Sequence, residues 1–264
     1  MTNDNRFDLM IDALTELVDG KRTLQTPPTT GLPSLASLLA ESNALPQEAL
    51  YLGLAEDGLP ILLNLFDPTP GPILVTGDQA SGKTALLKMI ARAVDLIHTP
   101  TEVQYCIITN HSDEWHRFEK SENSVGIYPI ETETTTSILE SLVEWARTNK
   151  GNQQSSVLLL IDNLEEVTKL GGLPEQHLRW LLLRGPSHNV WPIITLNSSI
   201  ANQLQEWLSF FHTRFFGQIA DEQIALTITS PNRFRLDNLI AGTQFAMKDG
   251  NNRLLKFWVP IIDR

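Results

Sequence analysis

The sequence predicts an α/β fold: a mostly parallel central sheet with helices on both faces, one β-hairpin ahead of the central strand and another at the C-terminus. Three observations carry this. Short apolar runs alternate with amphipathic helical patterns through the last two-thirds of the chain, as in a parallel sheet covered on both sides. A glycine-bearing loop joins one apolar run directly to one helical pattern. The chain of 264 residues is 42% hydrophobic and 19% charged, the balance of a globular protein with one large domain and an appendage.

Taken in order, residues 6–18 carry Phe7, Met10, Ile11, Leu14, Leu17 and Val18 on one helical stripe, stopped by Gly20. Thr26-Pro27-Pro28 through Ser34 reads as a linker, because proline and glycine break both regular structures. A short helix over 35–42 follows. Residues 1–45 are therefore expected to form a helical appendage, packed on the main domain or on a partner protein, and residues 46–264 the domain itself. Apolar runs at 50–54 and 61–65 flank Glu56-Asp57-Gly58, a hairpin signal. Strands are expected at 73–76, 103–108, 157–162, 190–196 and 214–219, and helices at 83–96, 135–148, 175–183 and 200–210. Residues 239–247 and 253–262, around Asp249-Gly250-Asn251, read as a closing hairpin.

The sharpest motif lies between the strand at 73–76 and the helix at 83–96. Gly77-Asp78-Gln79-Ala80-Ser81-Gly82-Lys83-Thr84 fits G-x-x-x-x-G-K-[ST], with Ala85 continuing into the helix. The glycines let backbone N–H groups wrap a β-phosphate at a helix N-terminus. Lys83 can reach the β- and γ-phosphates, and Thr84 can offer its hydroxyl to Mg2+. A strand, this loop and a helix in register make a nucleoside-triphosphate site, where a bare glycine-rich turn needs no such sequence.

A magnesium site needs a carboxylate at the end of a neighbouring buried strand, and Val157–Ile161 run straight into Asp162. The next residue is Asn163, which can orient a water but cannot take its proton; Glu165 and Glu166 stand two and three residues along as replacements or as solvent-facing residues. The apolar strand 190–196 ends in Asn197, either a contact to the γ-phosphate or its water, or simply a polar residue opening a loop.

In order, these pieces resemble the FtsK/SpoIIIE–HerA branch of P-loop ATPases, the additional-strand, RecA-like motors that pump DNA as hexameric rings. The resemblance runs from residue 50 to the C-terminus: a hairpin leading into the P-loop strand, the strand ending at Asp162, a helix with Arg179 and Arg184, the strand ending at Asn197, Arg214 opening the next strand, and a terminal hairpin with Gly242. It implies ATP with Mg2+ as cofactors, a homo-oligomeric ring such as a hexamer, in which an arginine of one subunit reaches a neighbour's γ-phosphate, and movement of DNA or polypeptide. ATP over GTP follows from it, since no Asn-Lys-x-Asp motif is present. Three departures stand out. Asn163 occupies the place where the branch usually has its catalytic glutamate, and Asn197 stands for a glutamine. Asp221-Glu222-Gln223-Ile224 replaces a segment that commonly carries an arginine. Arg179, Arg184 and Arg214 are the remaining candidates for the trans role, each also an ordinary salt-bridging residue. An ATP-binding regulatory switch with weak or absent hydrolysis is the alternative reading.

Charge restricts the partners. The net charge is −11, against a general nucleic-acid or anionic-membrane binder. The acid is concentrated in residues 1–132, with 8 Lys/Arg against 18 Asp/Glu, whereas from Val167 onward the balance is +3, so DNA contact is permitted only locally. Cys106 is the single cysteine, which excludes a disulfide framework, and it lies in an apolar run. No stretch approaches the length of a membrane span and the acidic N-terminus lacks the features of a signal peptide, so a cytoplasmic location is expected. His111 and His116 do not make a metal-ligand spacing, and the six tryptophans sit mostly on apolar-periodic segments, as core residues would.

Overall fold

The computed structural model describes residues 32–41, 45–149, 155–229, 234–248 and 254–263; the helix expected over 6–18 and the turn of the closing hairpin lie outside them. The described elements run α1 (Leu35–Glu41), β1 (Ala49–Ala55), β2 (Pro60–Asn64), β3 (Ile73–Gly77), α2 (Lys83–Ile97), β4 (Val103–Ile108), β5 (Ser124–Tyr128), α3 (Thr132–Thr148), β6 (Ser156–Ile161), α4 (Leu164–Thr168), α5 (Gly172–Arg184), β7 (Val190–Asn197), α6 (Gln205–Leu208), β8 (Thr213–Phe216), α7 (Glu222–Thr229), β9 (Gln244–Lys248) and β10 (Leu254–Trp258).

One ten-stranded sheet, ordered β2-β1-β10-β9-β8-β3-β7-β6-β4-β5, runs through the molecule. From β8 to β5 every pairing is parallel; from β8 outward to β2 every pairing is antiparallel. The fold class is thus α/β with a mostly parallel centre, and the two hairpins join as one antiparallel wing, β1 pairing with β10.

The parallel strands are apolar on both sides because side chains alternate between two faces, each covered by helices. Ile73 and Val75 of β3 pack with Leu86, Leu87, Ile90 and Val94 of α2, whereas Leu74 faces the other core with Leu139 and Val143 of α3 and Leu178 and Leu181 of α5. The same alternation sends Leu158 and Leu160 of β6 to the first face and Leu159 and Ile161 to the second.

Residues 34–41, placed by sequence in the appendage, dock on the end of the chain. Leu35 is buried, its N–H donates to the Ile261 carbonyl at 2.9 Å, and the Ala36 N–H donates to the Asp263 carboxylate at 3.2 Å.

Four elements differ from expectation. The helix expected over 200–210 is a 3-10 turn, Ser198–Leu204, followed by the four-residue α6; the Arg214 guanidinium takes the carbonyls of Leu208 and Phe211 and so closes that segment. β5 was not foreseen, being a short, half-exposed edge strand with Gly126 inside it. α4 is too short for helical periodicity to register. α7 had a readable cap, since Asp221 Oδ1 accepts the N–H groups of Gln223 and Ile224 at 2.8 and 3.1 Å.

Candidate functional site

Parallel strands end on the same edge of a sheet, and the loops after those ends are where such folds hold ligands. β3, β7 and β6 end there in adjacent rows: Gly77 pairs with Asn197, and Ile161 with Ile194. β7 therefore lies between the phosphate-loop strand and the strand that ends at Asp162. Being one residue past Ile161 and Ile194, Asp162 and Thr195 face the α2 side.

The loop 77–84 is held tightly. Gly82 enters α2 in the left-handed region (φ +96°), and a Cβ there would stand 2.6 Å from Cα of Gly242. The Gly242 N–H donates to the Ser81 carbonyl at 3.0 Å, so the segment before β9 is a wall of the loop. Lys83 Nζ donates to the carbonyls of Gly77 (3.0 Å) and Asp78 (2.7 Å), curling back over the loop. Gln79, Ala80 and Ala85 are exposed and Ser81 is buried. Both Asp78 carboxylate oxygens point away into the protein, one accepting from Ser198 Oγ, the other from the Ala220 N–H at 2.8 Å.

Thr84 and Asp162 meet across β7. Thr84 Oγ1 donates to Asp162 Oδ2 at 2.9 Å, Thr195 Oγ1 donates to Asp162 Oδ1 at 2.9 Å, and the Asn163 N–H donates to Thr195 Oγ1 at 2.8 Å. Thr195 is a site residue to which sequence reasoning gave no role; its signal was a lone hydroxyl inside an apolar strand. Thr84 and Asp162 fit a magnesium ion: both are hard oxygens, and neighbouring ligands at Mg–O bonds of about 2.0–2.1 Å stand about 2.9 Å apart.

After Asp162 the chain takes a left-handed step at Asn163 (φ +90°) and enters α4. Leu164 and Val167 go into the core. Glu165, in the first turn, is 8% exposed, and its Oε2 has no hydrogen-bond partner among the described residues. Burial pushes its carboxyl above the ordinary range; the N–H of its own turn, Lys83 and the Asn197 N–H pull it back. Burial likewise draws the Lys83 ammonium down, against Glu165 first, then Asp162 and Asp78. Glu166 instead pairs with Lys169 at 2.6 Å. The Asn197 side chain caps the following 3-10 turn, Oδ1 accepting from Ser199 N–H and Oγ at 3.2 and 3.1 Å.

The three arginines lie in different settings. Arg214 donates to the carbonyls of Leu208, Ile228 and Phe211 at 2.7, 2.9 and 3.0 Å, and burial lowers its pKa. Arg179 bridges Glu175 and Glu206 at 2.9 and 2.8 Å and lies 4.5 Å from the Trp207 ring centre. Arg184 is exposed at the end of α5, beside the start of β7 and so at the sheet edge away from the loop. Trp115, Trp191 and Trp207 are buried, and His111 and His116 are exposed.

Among solved structures, the chain is similar to EccC (ATPases 2 and 3) of Thermomonospora curvata in complex with a signal sequence peptide, at 17% identity and TM-score 0.67, over 92% of this chain and 44% of that one. It is similar to EssC (ATPases 2 and 3) from Geobacillus thermodenitrificans at 12% identity and TM-score 0.67, over 92% and 48%. It is also similar to the pCW3 conjugation coupling protein TcpA in its monomer form with ATPγS, at 14% and 0.67, over 100% and 83%. The chain thus spans less than half of the EccC and EssC chains. No family model and no curated protein matches it. The likeness shows the fold alone, which this chain shares with the ATPase domains of EccC and EssC and with TcpA. Among the described residues, no helix is long and apolar enough to cross a membrane.

Proposed function

We propose that this chain is a Mg2+-dependent ATP-binding P-loop protein that hydrolyses ATP to move a polymer through an oligomeric ring. The observation that carries the reading is the pairing of Thr84 with Asp162 across β7, beside a lysine already folded over the phosphate loop. In this reading the loop N–H groups and Lys83 bind the phosphates, while Thr84 and Asp162 hold the ion, with Thr195 orienting Asp162. The Mg2+ ion, when bound, neutralises phosphate charge and orients the γ-phosphate.

The neighbours support nucleotide use, since TcpA was solved with ATPγS. EccC, solved with a signal sequence peptide, supports a polypeptide as the polymer, and DNA stands as the other polymer the sequence resemblance implies. For a ring, Arg184 is the candidate with no hydrogen bond or ion pair to its guanidinium among the described residues. Asn163 favours the second reading, an ATP-binding switch that hydrolyses slowly or not at all.

Titration calorimetry tests the site. Wild-type protein binds ATP with Mg2+, and Lys83→Ala, which removes the charge facing the phosphates, weakens binding by about 30-fold or more. Equal affinity in the two proteins would refute the site. Steady-state turnover with and without double-stranded DNA then separates motor from switch, a motor running at about 1 s⁻¹ or faster.

A further inference from the structure

Three carboxylates act on Lys83: Glu165, Asp162 and Asp78. Two of them are fully engaged. Asp162 accepts from Thr84 through one oxygen and from Thr195 through the other; Asp78 accepts from Ser198 through one and from the Ala220 N–H through the other. Glu165 is the member of the three with a buried oxygen lacking a hydrogen-bond partner among the described residues. A buried carboxylate oxygen left in that state costs folding free energy.

We infer that Glu165 is the catalytic base of this ATPase, doing from the first turn of α4 what Asn163 cannot do from the strand end. The inference rests on the ATP-hydrolysing reading above and names the residue that makes hydrolysis compatible with Asn163. After the left-handed backbone at Asn163, residue 165 stands in the first turn of α4 with its carboxyl buried, where its charge acts on Lys83 and the N–H of Asn197, the residue paired with Gly77, acts on it. Glu166, paired with Lys169 at the surface, has no such position.

The reaction balances within the site. A water oxygen bonds to the γ-phosphorus and gives one proton to Glu165. The bond from that phosphorus to the β,γ-bridging oxygen breaks, ADP keeps the electron pair, and the proton passes from Glu165 to phosphate or solvent. Only the carboxylate is required of the protein at the proton-transfer step, a contribution of about 10²–10⁴ in rate.

Glu165→Gln keeps the shape and hydrogen-bonding reach of the side chain but not its basicity. The expected result is turnover lower by about 100-fold or more. ATP affinity by calorimetry stays within about threefold of wild type, a loss confined to the chemical step. Glu165→Asp, which restores a carboxylate one carbon shorter, recovers part of the lost rate, and Glu166→Gln turns over like wild type. Turnover of Glu165→Gln close to that of wild type overturns the inference, as does a wild-type protein that binds ATP but shows no turnover with or without DNA. Absence of ATP binding in the wild type, read from the calorimeter alone, instead refutes the nucleotide site and with it everything built on it.

Discussion

The two halves of the sheet are made of the same apolar material and carry different chemistry. In the parallel half, Thr76, Asp162, Thr195 and Ser198 are buried at or just beyond strand ends, and Glu165 follows one of them. In the antiparallel wing, the described strands bury the Gln244 amide and the Tyr51 hydroxyl, and the rest of the burial is by residues such as Leu50, Leu52, Leu62, Met247 and Phe257. The difference is topological. Parallel strands end together, so their loops converge on one rim where carboxylates, hydroxyls and a helix N-terminus can share a ligand. Antiparallel neighbours end alternately at opposite edges and make no such rim. The wing contributes burial, and at Gly242 a wall against Gly82.

If the halves divide labour in this way, the largest effect available in the wing is on stability. Phe257 is fully buried, edge-on to Phe215 (5.4 Å between ring centres) and stacked with Phe245 (5.9 Å). Phe257→Ala should destabilise the fold by about 3–5 kcal/mol, measured by urea unfolding, while the folded fraction keeps wild-type ATP affinity. Loss of ATP affinity in still-folded protein would break the division, because it would make the wing part of the site.

Asp78 sharpens the comparison from the other half. It lies in the phosphate loop, yet its carboxylate serves the segments after β7 and β8 through Ser198 and Ala220. Asp78→Asn turns one acceptor into a donor facing groups that donate. With one hydrogen-bonding group left unsatisfied, at about 1–3 kcal/mol, ATP affinity should fall about 10-fold. Ser198→Ala, which frees one oxygen without a clash, should do less. An Asp78→Asn protein that binds ATP as wild type does would show that the loop keeps its shape without the anchor.

The same contrast explains what could be read from the sequence. The parallel half was legible because its strands are continuous apolar runs and because Gly77, Gly82, Lys83 and Thr84 have a spacing that phosphate chemistry imposes. Asp162 was legible as the first polar residue after five apolar ones. Glu165 was legible as a candidate to replace Asn163 but not as a buried one, and the roles of Asp78 and Thr195 were not legible, since each depends on a partner far along the chain: Asp78 on Ser198 and Ala220, Thr195 on Asp162. Nothing local distinguishes Glu165 from Glu166; burial does. The wing was legible as two hairpins, but not their union, because the pairing of β1 with β10 joins residues about two hundred positions apart.

The smallest effect lies where the halves meet. α2 begins at the phosphate loop and ends against the wing, where His98 places Nε2 3.1 Å from the Ala49 carbonyl of β1. Burial holds this imidazole below the ordinary histidine value of 6.5, while the Ala49 carbonyl and the nearby Glu102 pull it back up. The sign follows from linkage: the unfolded chain takes up a proton at higher pH than the folded one. The stability that the neutral ring supplies is therefore complete above 6.5 and is lost as pH falls from there toward the lowered folded value. Urea midpoints of the wild type should decline over that interval more than those of His98→Gln, whose amide can still donate to Ala49 but does not titrate. ATP affinity of the folded protein should not follow that decline, because the loop lies at the opposite end of α2. Equal pH dependence of the two urea midpoints would mean that the imidazole at the joint stays neutral without cost, and that the seam between the halves is indifferent to acid.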